Sequence, residues 1–184
     1  MQAAGLKTVR IFISYTYAGN KGSNNVQIND LEPNQLGQYD DTILLRIDQL
    51  MLECSKRGLK LIIVCHDRYA LGFWSTDRYA TTFGIAPDEG PGAAQKISDA
   101  SEFYTNKKAI AFFDKRIQHI LSHRNALMGN ATWATLDSVI YAFEPQNEPS
   151  SYMVEFYGQW VCDRAATIKA GLGQAGEHTL LWRR

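Results

Sequence analysis

A chain of 184 residues with 45% hydrophobic and 21% charged positions is long enough to bury one sizeable core and too apolar to be disordered. Its nineteen basic and nineteen acidic side chains cancel, which argues against a nucleic-acid or anionic-membrane partner, since either selects a basic surface. No apolar run approaches the roughly 18 to 20 residues of a membrane span, so a neutral polar ligand fits best.

The first predicted element is a strand from Val9 to Tyr15, in which Val9, Ile11, Ile13 and Tyr15 alternate with Arg10, Phe12 and Ser14. A polar loop follows. Asp40 or Asp41 then caps a helix whose apolar face carries Ile43, Leu44, Ile47, Leu50, Met51 and Cys54, and Gly58 closes it. The nearly unbroken run Leu59 to Cys65 reads as a strand buried on both faces, as in a parallel sheet. His66 to Ala100 is a long excursion rich in Gly, Pro, Asp, Thr and aromatics, of the kind that carries function. Thr105 or Asn106 caps the next helix, with Ile110, Phe113, Ile117, Ile120 and Leu121 on its buried side. Ser138 to Phe143 is a third strand, and Ser150 or Ser151 caps a helix carrying Trp160 and Ile168. Thr179 to Trp182 begins a fourth strand. This β-α alternation implies parallel strands with right-handed crossovers, either an open doubly wound sheet or part of a barrel. No Gly-x-Gly-x-x-Gly opens a helix, which removes support for the nucleotide-binding form of the open sheet.

Cys54, Cys65 and Cys162 form no disulfide framework. The first two read as small buried hydrophobes. Asn130-Ala131-Thr132 is a glycosylation sequon, usable only in the secretory pathway. Met1 to Lys7 lacks an apolar signal core. The pair His119 and His123 has metal-ligand spacing, but no Asp or Glu is evidently placed to complete a site, so no metal is expected. No cofactor is expected either.

Arg10, His66 and Glu148 are polar residues inside or at the ends of apolar strands, where burying a charge is costly unless it is paired or used. Each could equally satisfy backbone groups. The context of Glu148 is more telling. Ile140 to Pro149, ending Glu144-Pro145-Gln146-Asn147-Glu148-Pro149, resembles the strand-four signature of clan A retaining glycoside hydrolases, particularly family 5, the cellulases and mannanases. Thr8-Val9-Arg10-Ile11 looks like that family's strand-two arginine, and Val64-Cys65-His66-Asp67 like its strand-three histidine. Phe103-Tyr104-Thr105-Asn106 precedes the helix before Asn-Glu-Pro, as in many members. The resemblance runs from about Thr8 to about Ala170.

The resemblance implies an α/β fold, a (β/α)8 TIM barrel truncated to about strands two to five, with residues 1–184 forming a partial catalytic domain. It further implies hydrolysis of a β-glucan or β-mannan by a retaining two-carboxylate scheme, on a polysaccharide or oligosaccharide, by an enzyme secreted in its full-length form. Glu148 would be the acid/base, Asn147 would bond the sugar 2-hydroxyl, Arg10 would keep the nucleophilic carboxylate ionised, and His66 would line the subsite of ring distortion. Acid/base work calls for a carboxyl that titrates near the working pH. Glu144, four residues earlier and without a preceding Asn, is a weaker rival with a structural role. Trp74, in the loop after His66, is a candidate stacking platform or else packs within its loop. The family's nucleophile, a strand-seven glutamate, has no counterpart here, so the chain alone is expected to be inactive. A sugar-binding pseudoenzyme and an unrelated α/β domain are the alternatives.

Overall fold

The computed structural model describes residues 2–72, 75–85, 100–149 and 157–173. In chain order the elements are β1 (Thr8–Phe12), α1 (Thr42–Ser55), β2 (Lys60–Val64), α2 (Arg78–Thr82), α3 (Ser101–Thr105), α4 (Lys107–Ser122), β3 (Arg124–Asn125), β4 (Ala131–Thr132), β5 (Ile140–Glu144) and α5 (Gly158–Leu172). β1, β2 and β5 form a parallel sheet in the order of the chain. Arg10 lies opposite Ile62 and Phe12 opposite Val64, while Val64 lies opposite Glu144. Between Leu61 and Ile62 the register to β5 slips, so that Ile140 and Ala142 are successive partners and Tyr141 is left over as a bulge.

Alternation sorts the strand residues as the sequence predicts. Ile13, Leu61, Ile63, Cys65, Ile140 and Phe143 are buried in one core with Ile43, Leu44, Ile47 and Met51 of α1 and Phe113, Ile117 and Ile120 of α4. Arg10 and Phe12 on the opposite side of β1, and Ser14 just beyond it, border a cleft. Trp160 is buried core against Phe103, Phe113 and Tyr104, as its place on the apolar helix face predicts.

Several boundaries differ from expectation. The first strand ends at Phe12 rather than Tyr15, because the chain turns away to pair Thr16 with Ile28. Of the two residues expected to cap α1, Asp41 holds the N-cap position without a side-chain bond, and Asp40 Oδ1 accepts from the Thr42 amide at 3.0 Å. Asn106 caps α4, accepting from Lys108 N, and the short α3 just before it went unpredicted. The helix after Asn-Glu-Pro starts at Gly158, well past Ser150 and Ser151, which lie outside the described residues. Tyr157, expected within that helix, has a non-helical backbone and its ring stacks on Tyr104. The strand expected at Thr179 to Trp182 also lies outside the described residues.

Candidate active site

Beyond the C-terminal ends of β1, β2 and β5 lies a cleft of about 510 Å³, bordered by Arg10, Phe12, Tyr15, Tyr17, Asp67, Tyr69, Asn147 and Glu148 among others. Strand pairing carries the three strand ends into it. Ile13 N donates to Val64 O, Cys65 N to Glu144 O and Asn147 N to His66 O, at 2.9, 2.9 and 2.8 Å. Asn147 is thereby tied to the end of β2 through its backbone.

Glu148 is exposed in the cleft, with φ +46°, a left-handed backbone that a glutamate does not favour. Tyr69 Oη donates to its Oε2 at 2.6 Å. Asn147 is 8% exposed. Its Oδ1 accepts from Arg10 Nη2 at 3.0 Å and its Nδ2 donates to Asp67 Oδ1 at 3.0 Å. With a donor on one side and an acceptor on the other, the amide has one orientation, and its second N–H has no partner among the described residues.

Arg10 borders the cleft, and its guanidinium pairs there with Glu144, Nη2 to Oε2 at 2.5 Å and Nε to Oε2 at 3.1 Å, while Nη2 also reaches Asn147.

His66, expected to line a subsite, is wholly buried and does not border the cleft formed by the described residues. Nε2 faces Asp77 Oδ2 at 2.6 Å and Nδ1 faces Gln146 Nε2 at 2.9 Å, while Phe103 stacks on the ring. Tyr104 Oη donates to Gln146 Oε1, which leaves the Gln146 amide NH2 to donate to Nδ1 and makes Nε2–H the donor to Asp77. The chain Tyr104–Gln146–His66–Asp77 pins the residue just before Asn147. Trp74 lies outside the described residues.

A second buried hub escaped the sequence reading. Arg116 of α4 is fully buried and uses all five N–H donors: Nε to Cys65 O, Nη1 to Asp30 and Glu32, Nη2 to Ile13 O and Asp30. It ties the ends of β1 and β2 to the loop before α1. Burial pushes the Asp30 carboxyl up, but the Arg116 guanidinium outweighs this and holds it below the usual range. Burial, helped by Glu32, raises the Tyr79 phenol well above its ordinary value. The legible signal was position: Arg116 sits three residues from Phe113 and four from Ile120, on the buried helix face.

His119 and His123 do have carboxylate partners, contrary to expectation. Asp41 Oδ1 meets His119 Nε2 at 2.6 Å and Asp48 Oδ2 meets His123 Nε2 at 2.9 Å. These carboxylates come from the residue before α1 and from the middle of that helix, invisible to spacing along α4. Among the described residues no group of three His, Cys, Asp or Glu side chains is placed to hold a metal ion.

Chemically, the cleft presents one exposed carboxylate held by a phenol, beside an oriented amide and several aromatic rings. Such a site can exchange a proton with a neutral polyhydroxyl ligand.

Comparison with known proteins gives the same direction. The family described as glycoside hydrolase family 5 beta-mannosidase-like matches residues 1–175. Mannan endo-1,4-beta-mannosidase 1 of Oryza sativa subsp. japonica is 25% identical over 160 residues, which are 85% of this chain and 33% of that protein. Mannan endo-1,4-beta-mannosidase 5 of Solanum lycopersicum is 26% identical over 137 residues, 73% of this chain and 31% of that protein. This chain thus spans about a third of the length of these curated relatives. Among solved structures, a family 5 mannosidase from Rhizomucor miehei superposes with TM-score 0.69 at 18% identity, over 98% of this chain and 42% of that one. The hyperthermostable endo-1,4-beta-D-mannanase of Thermotoga petrophila RKU-1 gives 0.65 at 18%, over 97% and 47%. These neighbours are (β/α)8 barrels, and this chain shares the fold of part of one.

Proposed function

The chain belongs to the beta-mannosidase-like group of glycoside hydrolase family 5, and on that premise we propose that the whole protein cleaves O-glycosidic bonds of a β-mannan-type polysaccharide with retention, outside the cell. Residues 1–184 form part of its catalytic domain, about strands two to five of the barrel. One observation carries the reading: Glu148 stands exposed at the cleft with a left-handed backbone, beside an Asn147 amide that can point only one way. Strain of this kind persists where surrounding structure enforces it for function.

In the proposed reaction Glu148 gives its proton to the leaving glycosidic oxygen as a second carboxylate, about 5 to 5.5 Å away, attacks the anomeric carbon. Glu148 then takes a proton from the water that releases the sugar. The free N–H of Asn147 bonds the sugar 2-hydroxyl, and Arg10 and Asp67 contribute by fixing that amide. No cofactor or metal is required. Among the described residues Asp67 is the other carboxylate bordering the cleft, and it is engaged by Asn147 and by Tyr69 N. The nucleophile is accordingly assigned to sequence outside them. The same observation favours a second reading for the 184-residue chain by itself: it binds oligosaccharide without turnover.

Retention is checked by NMR of the anomeric protons during hydrolysis of mannopentaose by the whole protein. The β-anomer should appear first, and Glu148→Gln should slow turnover about 100- to 10,000-fold. Initial release of the α-anomer, or an unimpaired variant, would overturn the proposal.

A further inference from the structure

We infer that Tyr17 is the stacking platform of the cleft, the ring on which a sugar of a β-1,4-linked mannooligosaccharide lies as it passes Glu148. This rests on the glycosidase reading and deepens it. A hexose presents one face of C–H bonds and a rim of hydroxyls, so a site for it needs a flat apolar ring with water-accessible area as well as polar partners. Among the described residues four aromatics border the cleft near its polar groups: Phe12, Tyr15, Tyr17 and Tyr69. One face of Phe12 is occupied by Arg10, whose guanidinium carbon lies 4.8 Å from the ring centre. Tyr69 is committed to Glu148, and Tyr15 is half-buried. Tyr17 is the most exposed of the four, at 47%, and borders the cleft.

Its backbone, by contrast, is held. Tyr17 O accepts from Asn25 Nδ2 at 2.9 Å and from Asn20 N at 3.3 Å, and the preceding Thr16 is paired with Ile28 in both directions. A fixed main chain with an uncovered ring is preorganised for stacking, since little ordering remains for the ligand to impose.

The test is titration of the 184-residue chain with mannotetraose, followed by 15N-edited NMR. Tyr17→Ala is expected to weaken binding about tenfold, while Tyr17→Phe, which keeps the ring and loses the hydroxyl, retains wild-type affinity. Circular dichroism establishes that both variants fold. Equal affinity of Tyr17→Ala and wild type would overturn the assignment and leave the glycosidase reading standing. A Phe variant as weak as the Ala variant would also overturn it, in favour of a hydroxyl contact. Absence of binding by the wild type at millimolar mannotetraose would overturn the reading of the 184-residue chain as an oligosaccharide binder by itself, and Tyr17 with it.

Discussion

Two non-glycine residues among those described hold a left-handed φ, Asn130 at 57° and Glu148 at 46°. Asparagine tolerates that region, whereas a glutamate there costs about 1–2 kcal/mol, so Glu148 is held by its neighbours against its own preference. His66 is central to that hold. Removing its ring takes one hydrogen-bond partner each from the Gln146 amide NH2 and from Asp77 Oδ2 and opens a cavity beside Phe103, so His66→Ala should lower stability by roughly 2–4 kcal/mol in urea unfolding. A loss below about 1 kcal/mol would mean that the ring does not pin the segment. Asp30 gives a prediction with a sign. A carboxyl whose folded pKa lies below its unfolded value of about 4 contributes stability that is complete above that value and is lost as pH falls through the folded one. Asp30→Asn, which strips Arg116 of its main partner, should therefore cost about 3–5 kcal/mol at pH 7, and the gap to wild type should narrow below about pH 4. A gap constant down to pH 2 would refute the pairing as the source of the shift. At this scale the sequence revealed the residues whose relation is local: Asn147 and Glu148 are adjacent, and the apolar strand before them marks a strand end. It did not reveal which way His66 turns, because its partners Asp77 and Gln146 lie 11 and 80 residues away. Nor did it bring out Tyr69 as the partner of Glu148, because loop residues follow no period that assigns them a face.

Periodicity made β1, α1, β2, α4 and β5 legible, since each has a run of apolar positions long enough to define a side. The unforeseen α3 has five residues, too few for a helical repeat to emerge. Its Phe103 and Tyr104 are nevertheless among the buried aromatics that join α4 to α5. The α4–α5 contact depends on a residue that propensity alone would replace. A Cβ built on Gly171 of α5 would fall 2.5 Å from Leu121 Cδ1, closer than atoms approach, and Leu121 is 2% exposed with little room to yield. Alanine in a helix interior gains about 1 kcal/mol over glycine, but overpacking a filled core costs about 1–3 kcal/mol. Gly171→Ala should therefore be neutral to destabilising by about 2 kcal/mol despite its better propensity, measured as a lower urea midpoint. A clear rise in that midpoint would show that the two helices part without penalty.

At the scale of the whole molecule, the sheet is unlike the parallel sheets its strand order belongs to, which are covered on both faces and closed or flanked at both edges. Among the described residues β1 and β5 each have one edge without a partner strand. Phe12 on the cleft side and Tyr141 at the bulge of β5 are 38% and 47% exposed. The curated relatives are about three times as long as the part this chain aligns with, and we read these edges as places where further barrel strands pair in the whole protein. An uncovered parallel edge with aromatic side chains beside it is a template for pairing with another chain. The 184-residue chain by itself should therefore self-associate reversibly, its apparent mass in sedimentation rising above 20.7 kDa with concentration. Tyr141→Lys places a charge on that edge and should shift the equilibrium towards monomer without altering the fold, because the side chain it replaces is exposed at a bulge rather than packed in the core. If wild type is monomeric at every concentration, both edges are already covered by residues of the chain itself, and the account of the sheet as an open part of a barrel fails. If it associates but Tyr141→Lys associates equally, the contact runs through β1 and Phe12, and Phe12→Lys becomes the substitution that breaks it.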